Sequence, residues 1–187
     1  NSGTTVTLTA TASQVADEDI IVTLASTGTA INGTDYSSLG GETITISAGA
    51  TTGTITGTPT DDSVYEDDET ATIAILSVSG GGATESGTQS VSITITENES
   101  APTITLATSH TTVTENSGTT VTLTATASQV ADEDIIVTLA STGTAINGTD
   151  YSSLGGETIT ISAGATTGTI TGTPTDDLTY EGNETAT

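Results

Sequence analysis

The stretch Val6-Thr-Leu-Thr-Ala-Thr-Ala12 alternates small or branched apolar residues with Thr at every step. A period of two puts the apolar set on one face and the Thr set on the other, the pattern of a half-buried strand in an antiparallel sheet. The same seven residues return at Val121–Ala127. Working outward from the two copies, Asn1–Asp62 recurs unchanged as Asn116–Asp177, an offset of 115 residues. The match runs on to Thr187, broken only at Ser63/Leu178, Val64/Thr179, Asp67/Gly182 and Asp68/Asn183. A period this long exceeds that of solenoid repeats and suits one β-sandwich domain of about 100 residues.

Further strands follow from the same alternation. They carry Ile20, Val22 and Leu24; Ile44 and Ile46; Ile55; Ala71, Ile73 and Ile75; and Val91, Ile93 and Ile95. Asn32-Gly33 and Gly80-Gly81-Gly82 mark turns. Ile104, Leu106 and Val113 supply the first strand of the second copy. The predicted fold is all-β: tandem seven-stranded Ig-like Greek-key β-sandwich domains, strands A to G. Residues 1–100 form the first repeat, expected to lack strand A. Residues 101–187 form the second, expected to lack strand G. On this frame the sequence is part of a longer array.

Composition narrows the function. About a quarter of the residues are Thr, which favours β-structure. Phe, Trp, Met and Cys are absent, so the core is Ile, Val, Leu, Ala and Tyr, with no disulfide to reinforce it. Lys and Arg are absent too, against 24 Asp and Glu, for a formal net charge of −24. Nucleic-acid binding through phosphates is excluded, since it needs cations. Attachment to an anionic membrane surface is disfavoured for the same reason, and no stretch is long and apolar enough to insert as a helix. His110 is the single histidine and reads as an exposed spacer. Paired carboxylates can hydrolyse glycosides, but no Trp or Phe stands by to stack a sugar, and the chain does not read as an enzyme.

The acids are concentrated. Asp61-Asp-Ser-Val-Tyr-Glu-Asp-Asp-Glu69 holds six carboxylates in nine residues, between two strand-like runs. Two carboxylates about 5 Å apart repel by roughly 3 kcal/mol at an effective dielectric of about 20. With no Lys or Arg to pair, they are either left in solvent or neutralised by a bound cation. Hard oxygen ligands on irregular backbone are what Ca²⁺ selects. In a Greek-key sandwich the AB, CD and EF loops share a pole with the end of strand G. That scheme gathers Asp35, Asp61–Glu69, Glu97, Glu99 and, in the second copy, Glu115. Asp17-Glu18-Asp19 fall at the other pole. Their copies Asp132-Glu133-Asp134 are expected to face the first repeat's acidic pole across the linker Glu97–Pro102.

Ala30-Ile-Asn-Gly-Thr-Asp-Tyr36, then Thr43-Ile-Thr-Ile-Ser-Ala-Gly49, then Asp61-Asp62 with Glu66 and Glu69, resemble the Calx-β domain signature, and do so twice. The resemblance implies a calcium-binding Ig-like sandwich of the kind that also forms tandem arrays in large bacterial surface and biofilm proteins. It implies Ca²⁺ ligation by Asp35, Asp61, Asp62, Glu66 and Glu69, with Glu97 or Glu99 at the exit. The matching set in the second copy is Glu115, Asp150, Asp176, Asp177, Glu181 and Glu184. Two departures stand out: Ile44 and Ala71 occupy positions where the family usually has Phe, and Gly182 and Asn183 replace two acids of the first copy.

The resulting expectation is a calcium-stiffened structural repeat of a secreted or cell-surface protein, an extender rod or filament shaft. Its partners are neighbouring repeats and other copies in a filament. The alternative is an adhesin module binding glycan or protein through its Thr-rich sheet faces. Glycosylation on Thr, or on Asn32, Asn98, Asn147 or Asn183, each followed by x-Ser/Thr, is a further expectation.

Overall fold

The computed structural model describes residues 3–37, 39, 42–152 and 158–187. It divides into two compact units, Asn1–Glu99 and Ser100–Thr187. Unit 1 contains β1 (Val6–Thr11), β2 (Ile20–Gly28), β3 (Thr43–Ile46), β4 (Thr52–Gly57), β5 (Glu69–Ser79) and β6 (Ser90–Ile95). Unit 2 contains β7 (Ile104–Thr108), β8 (Val121–Ala127), β9 (Ile135–Thr138), β10 (Thr158–Ile161) and β11 (Thr167–Gly172).

Each unit is a sandwich of two antiparallel sheets. In unit 1 the sheets are β1-β4 and β3-β2-β5-β6. Alternation decides which side chains meet between them. Leu8, Ala10 and Ile55 of the first sheet pack on Ile20, Val22, Leu24, Ile44, Ile46, Ala71 and Ile73 of the second. The Thr set faces out: Thr7, Thr9 and Thr11 stand opposite Thr56, Thr54 and Thr52 on the exposed side. In unit 2 the sheets are β11-β8-β7 and β10-β9, and the core is Ala125, Ala127, Ile159 and Ile161. β7 pairs with β8 from Ile104↔Ala127 to Thr108↔Leu123. It is the strand that precedes β8, and among the described residues β1 has no such neighbour.

Two features depart from plain alternation. Thr23 pairs with Ser77 and Leu24 with Ile75, so Leu76 is an extra residue on β5. This bulge turns Leu76 outward, 67 % exposed, and shifts the inward set from Ile75 to Val78. The second departure corrects the sequence reading of the first strand of the second copy. β7 ends at Thr108, and Val113 lies outside any strand, 41 % exposed. The cause is local competition for the backbone. Thr108 Oγ1 donates to His110 O at 2.9 Å, and Ser109 Oγ and His110 Nδ1 share a 2.9 Å hydrogen bond. A 3₁₀ turn at Glu115–Ser117 follows, ended by Gly118 in the left-handed region at φ 61°. Glu115 thus sits on a turn and does not end a strand.

Candidate metal centre

The site begins at a tight turn after β2. Gly28 has φ 124°, and a Cβ there would collide with Thr70 O, so only glycine lets β5 pass this close. The chain then folds on itself: Asp35 N–H donates to Ile31 O at 2.9 Å, and Ile31 N–H donates to Asp35 Oδ2 at 2.6 Å. Tyr36 bridges to Asn32 and Pro59, and Thr60 N–H donates to Asp35 O at 2.8 Å. Asp35 is thereby tied to the residue that opens the acidic loop. At 7 % exposure it is the one buried charged side chain among the described residues.

Two glutamates of the acidic loop converge on it. Asp35, Glu66 and Glu69 each bring one carboxylate oxygen within 4.8 Å of the others. Glu69 is held as the first residue of β5, opposite Ile95 of β6. Glu66 is held through its backbone, whose N–H donates to Glu97 Oε2 at 2.5 Å. The second unit repeats the cluster with Asp150, Glu181 and Glu184, also within 4.8 Å. Ile146 N–H donates to Asp150 Oδ2 at 2.6 Å, and Thr175 N–H to Asp150 O at 2.9 Å. Partial desolvation, then the charges of Asp150, Asp177 and Glu115, push the Glu181 carboxyl up. Glu184 is pushed up by desolvation, then by Asp150, Glu181 and Glu115. Glu115 and Asp177 therefore lie within electrostatic reach of that cluster.

The remaining acids of the expected set do other things. Glu97 is an anchor for backbone amides: Oε1 accepts from Asn98 at 2.5 Å and from Glu99 at 2.6 Å, while Oε2 holds Glu66. Burial pushes the Glu97 carboxyl up, but its bonds to Glu99 and to the amides of Glu99, Glu66 and Asn98 outweigh it and hold the group low. Its bond to Glu97 raises the Glu99 carboxyl. Asp61 Oδ1 accepts from Asn98 Nδ2 at 3.3 Å. Asp62 and Asp177 close Asx turns, accepting from Val64 N–H at 2.8 Å and Thr179 N–H at 2.6 Å. Asp61, Asp62, Asp176 and Asp177 are outside both three-carboxylate clusters.

Sequence reasoning passed over Asp68, whose Oδ1 accepts Glu97 N–H at 2.9 Å and so fixes the exit strand to the loop. No spacing rule reveals this pairing, which spans 29 residues. At the other pole, Asp19 Oδ1 accepts Ala48 N–H at 2.8 Å and Asp134 Oδ1 accepts Ala163 N–H at 2.8 Å. These two acids pin the turn before β4 and its counterpart before β11.

Three hard carboxylate oxygens around one point, on a buried anchor and two loop positions, fit a divalent cation of the oxygen-seeking kind. The molecule is thus a pair of acidic all-β sandwich modules, each with a carboxylate cluster beside its β2–β3 connection. Sequence comparison agrees with that class: the Calx-beta domain matches residues 2–99 and again residues 97–187. The chain belongs to the Calx-beta family. Among solved structures, the crystal structure of CBD12 from CALX1.2 aligns at 19 % identity and a TM-score of 0.43, covering 93 % of this chain and 69 % of that one. The calcium binding domain CBD12 of CALX1.1 aligns at 18 % identity and a TM-score of 0.43, covering 95 % and 71 %. No curated protein matches the chain.

Proposed function

We propose that each repeat binds Ca²⁺ at its three-carboxylate cluster, and that the chain is a calcium-stiffened structural segment of an extracellular or cell-surface protein. The observation that carries the reading is the buried Asp35 with Glu66 and Glu69 gathered on it, in a chain with no Lys or Arg. Like charges are held together here by the fold, and a divalent cation turns that repulsion into attraction. Asp61, Asp62, Glu97 and Glu99 complete or support the coordination in unit 1, and Glu115, Asp176 and Asp177 do so in unit 2. Membership of a calcium-binding family supports the choice of ion.

The mechanical role rests on the connectivity of unit 1. Asp68, Glu66 and Glu97 join the loop to the end of β6, immediately before the linker. A cation on this loop restrains the exit of the unit, so calcium stiffens the array and chelation loosens it. Neighbouring repeats are the immediate partners. Small-angle scattering of the chain in millimolar Ca²⁺ and in chelator tests this role. The expected result is greater flexibility on chelation, and identical profiles would contradict it.

The exposed Thr pairs of β1 and β4 support a second reading, adhesion to glycan through that face. Binding to a glycan array by the chain, lost on replacing Thr9 and Thr54 by Val, would favour adhesion over a shaft.

A further inference from the structure

The outer edge of β1 is unpaired, and the identical strand in unit 2 shows what fits such an edge. β1 and β8 share the sequence Val-Thr-Leu-Thr-Ala-Thr. β8 lies between β11 and β7, whereas β1 pairs with β4 alone among the described strands. Backbone groups along an antiparallel strand face its two neighbours alternately. Thr122 O accepts from Ser109 N–H at 2.9 Å on the β7 side, while Ala127 N–H donates to Thr166 O at 2.8 Å on the β11 side. Ala12 N–H makes the equivalent bond to Thr51 O at 2.8 Å. The N–H and C=O groups of Thr7, Thr9 and Thr11 therefore face the open edge.

Beside that edge runs a cleft of about 1120 Å³, from Leu8 and Ala10 of β1 across to Ser90 and Val91 of β6. Identical side chains register the missing cover. Ala125 and Ala127 are buried in unit 2, while Ala10 and Ala12 are only partly buried in unit 1. The donor strand is in the opposite condition. Ile104 and Leu106 share the core-facing side of the sheet with Ala127 and Ala125, yet they remain 38 % and 54 % exposed. Among the described residues, unit 2 has no counterpart of β6 to close over them. Unit 1 has that wall and no strand; unit 2 has the strand and no wall.

We propose that the edge of β1 is a strand-acceptor site, and that its occupant is the β7 segment Ile104-Thr-Leu-Ala-Thr108 of a second copy of this chain. Main-chain hydrogen bonds supply affinity and alternate side chains set the register, as in other strand additions. Carried over from β8, the register places Ile104 opposite Ala12, Leu106 opposite Ala10 and Thr108 opposite Leu8. Ile104 and Leu106 then enter the cleft and are covered by β6. The segment from Thr103 to Thr114 carries no carboxylate, so it approaches a chain of net charge −24 without repulsion of its own.

The test uses the full chain and a synthetic peptide of Pro102–Ser109, read by amide hydrogen exchange. At a peptide concentration about 100-fold over its Kd, exchange at Thr7, Thr9 and Thr11 slows by up to about 100-fold. Thr9→Pro removes one edge-facing N–H and leaves the ladder to β4 intact, so unit 1 stays folded and peptide protection is lost. Without peptide, the concentrated full chain self-associates, and Leu106→Asp abolishes the association. Failure of millimolar peptide to protect β1, or equal protection by a scrambled peptide, overturns the acceptor site. A chain that stays monomeric when concentrated, or a dimer whose β1 protection survives Leu106→Asp, overturns the second copy's β7 as its occupant.

Discussion

Ile20, Val22 and Leu24 of β2 and Ile135, Val137 and Leu139 around β9 are the same residues in the same sequence context. The first three are 3 %, 4 % and 5 % exposed; the second three are only partly buried. The difference is the company each strand keeps. β2 is flanked by β3 and β5, with β6 beyond, while β9 has β10 alone and a single bridge, Gly143↔Ala186, where β5's counterpart begins. The acid clusters differ in the same way. Glu66 is held by Glu97 and Glu69 by the β5–β6 ladder, and both are partly buried; Glu181 and Glu184 are exposed. An alternating sequence selects which face of a strand is inward, but neighbouring strands decide how far inward it is.

The largest expected contrast is in local stability. Fully covering an aliphatic side chain is worth about 1.5–3 kcal/mol, so partial loss at three positions separates the units by on the order of 4 kcal/mol. Amide exchange in the full chain measures it: protection over Ile21–Leu24 is expected to exceed that over Ile136–Leu139 by that amount, and equal protection would break the comparison. Ile20→Ala is expected to destabilise unit 1 by about 3 kcal/mol, and Ile135→Ala to cost unit 2 about 1 kcal/mol, in separate denaturant-unfolding experiments. Equal losses would mean that the two cores are equally packed.

A smaller effect changes sign. Asp35→Asn keeps an oxygen for Ile31 N–H and removes one negative charge. It is expected to raise the melting temperature of unit 1 in chelator, by relieving repulsion, and to lower it in Ca²⁺, each by about 1 kcal/mol or a few degrees. A change of the same sign in both conditions would count against the cluster as a cation site.

The smallest is the pH response of the metal-free chain. Glu181 and Glu184 have folded-state values raised above the ordinary 4.5. The folded state then holds protons that the unfolded state has released, so unit 2 gains stability as pH falls from neutral toward 4.5. Glu97 is lowered, so its contribution is present above 4.5 and is lost as pH falls through its folded value. Mild acid in chelator should therefore narrow the gap between the units, which parallel pH-dependent melts would detect.

Much of the fold was legible because the chain is so regular. Strict Thr alternation located β1, β3, β4 and the inward residues of β2, and the repeat supplied a second reading of each. What escaped was set by long-range pairing or by local side-chain competition. The Leu76 bulge exists only because of its register with Thr23–Leu24. Val113 keeps the apolar pattern of a strand, but Thr108, Ser109 and His110 divert the backbone before it. At the site, the density of acids around Asp61–Glu69 was visible. Which of them meet Asp35 was not, because that depends on where β5 starts and on the 31-residue span from Glu66 to Glu97. Asp19 and Asp134 read as pole charges and are turn pins, a role that needs the partner amides of Ala48 and Ala163 to be known.

The central claim is that Asp35, Glu66 and Glu69 hold a calcium ion. Calorimetric titration of the full chain with Ca²⁺, repeated on a chain carrying Asp35→Asn and Glu66→Gln, tests it most directly. Binding is expected in the wild type with a stronger component that disappears in the double variant, leaving the weaker component of Asp150, Glu181 and Glu184. A titration without binding heat, together with a melt identical in millimolar Ca²⁺ and in chelator, would contradict the claim, as would a strong component that survives both substitutions.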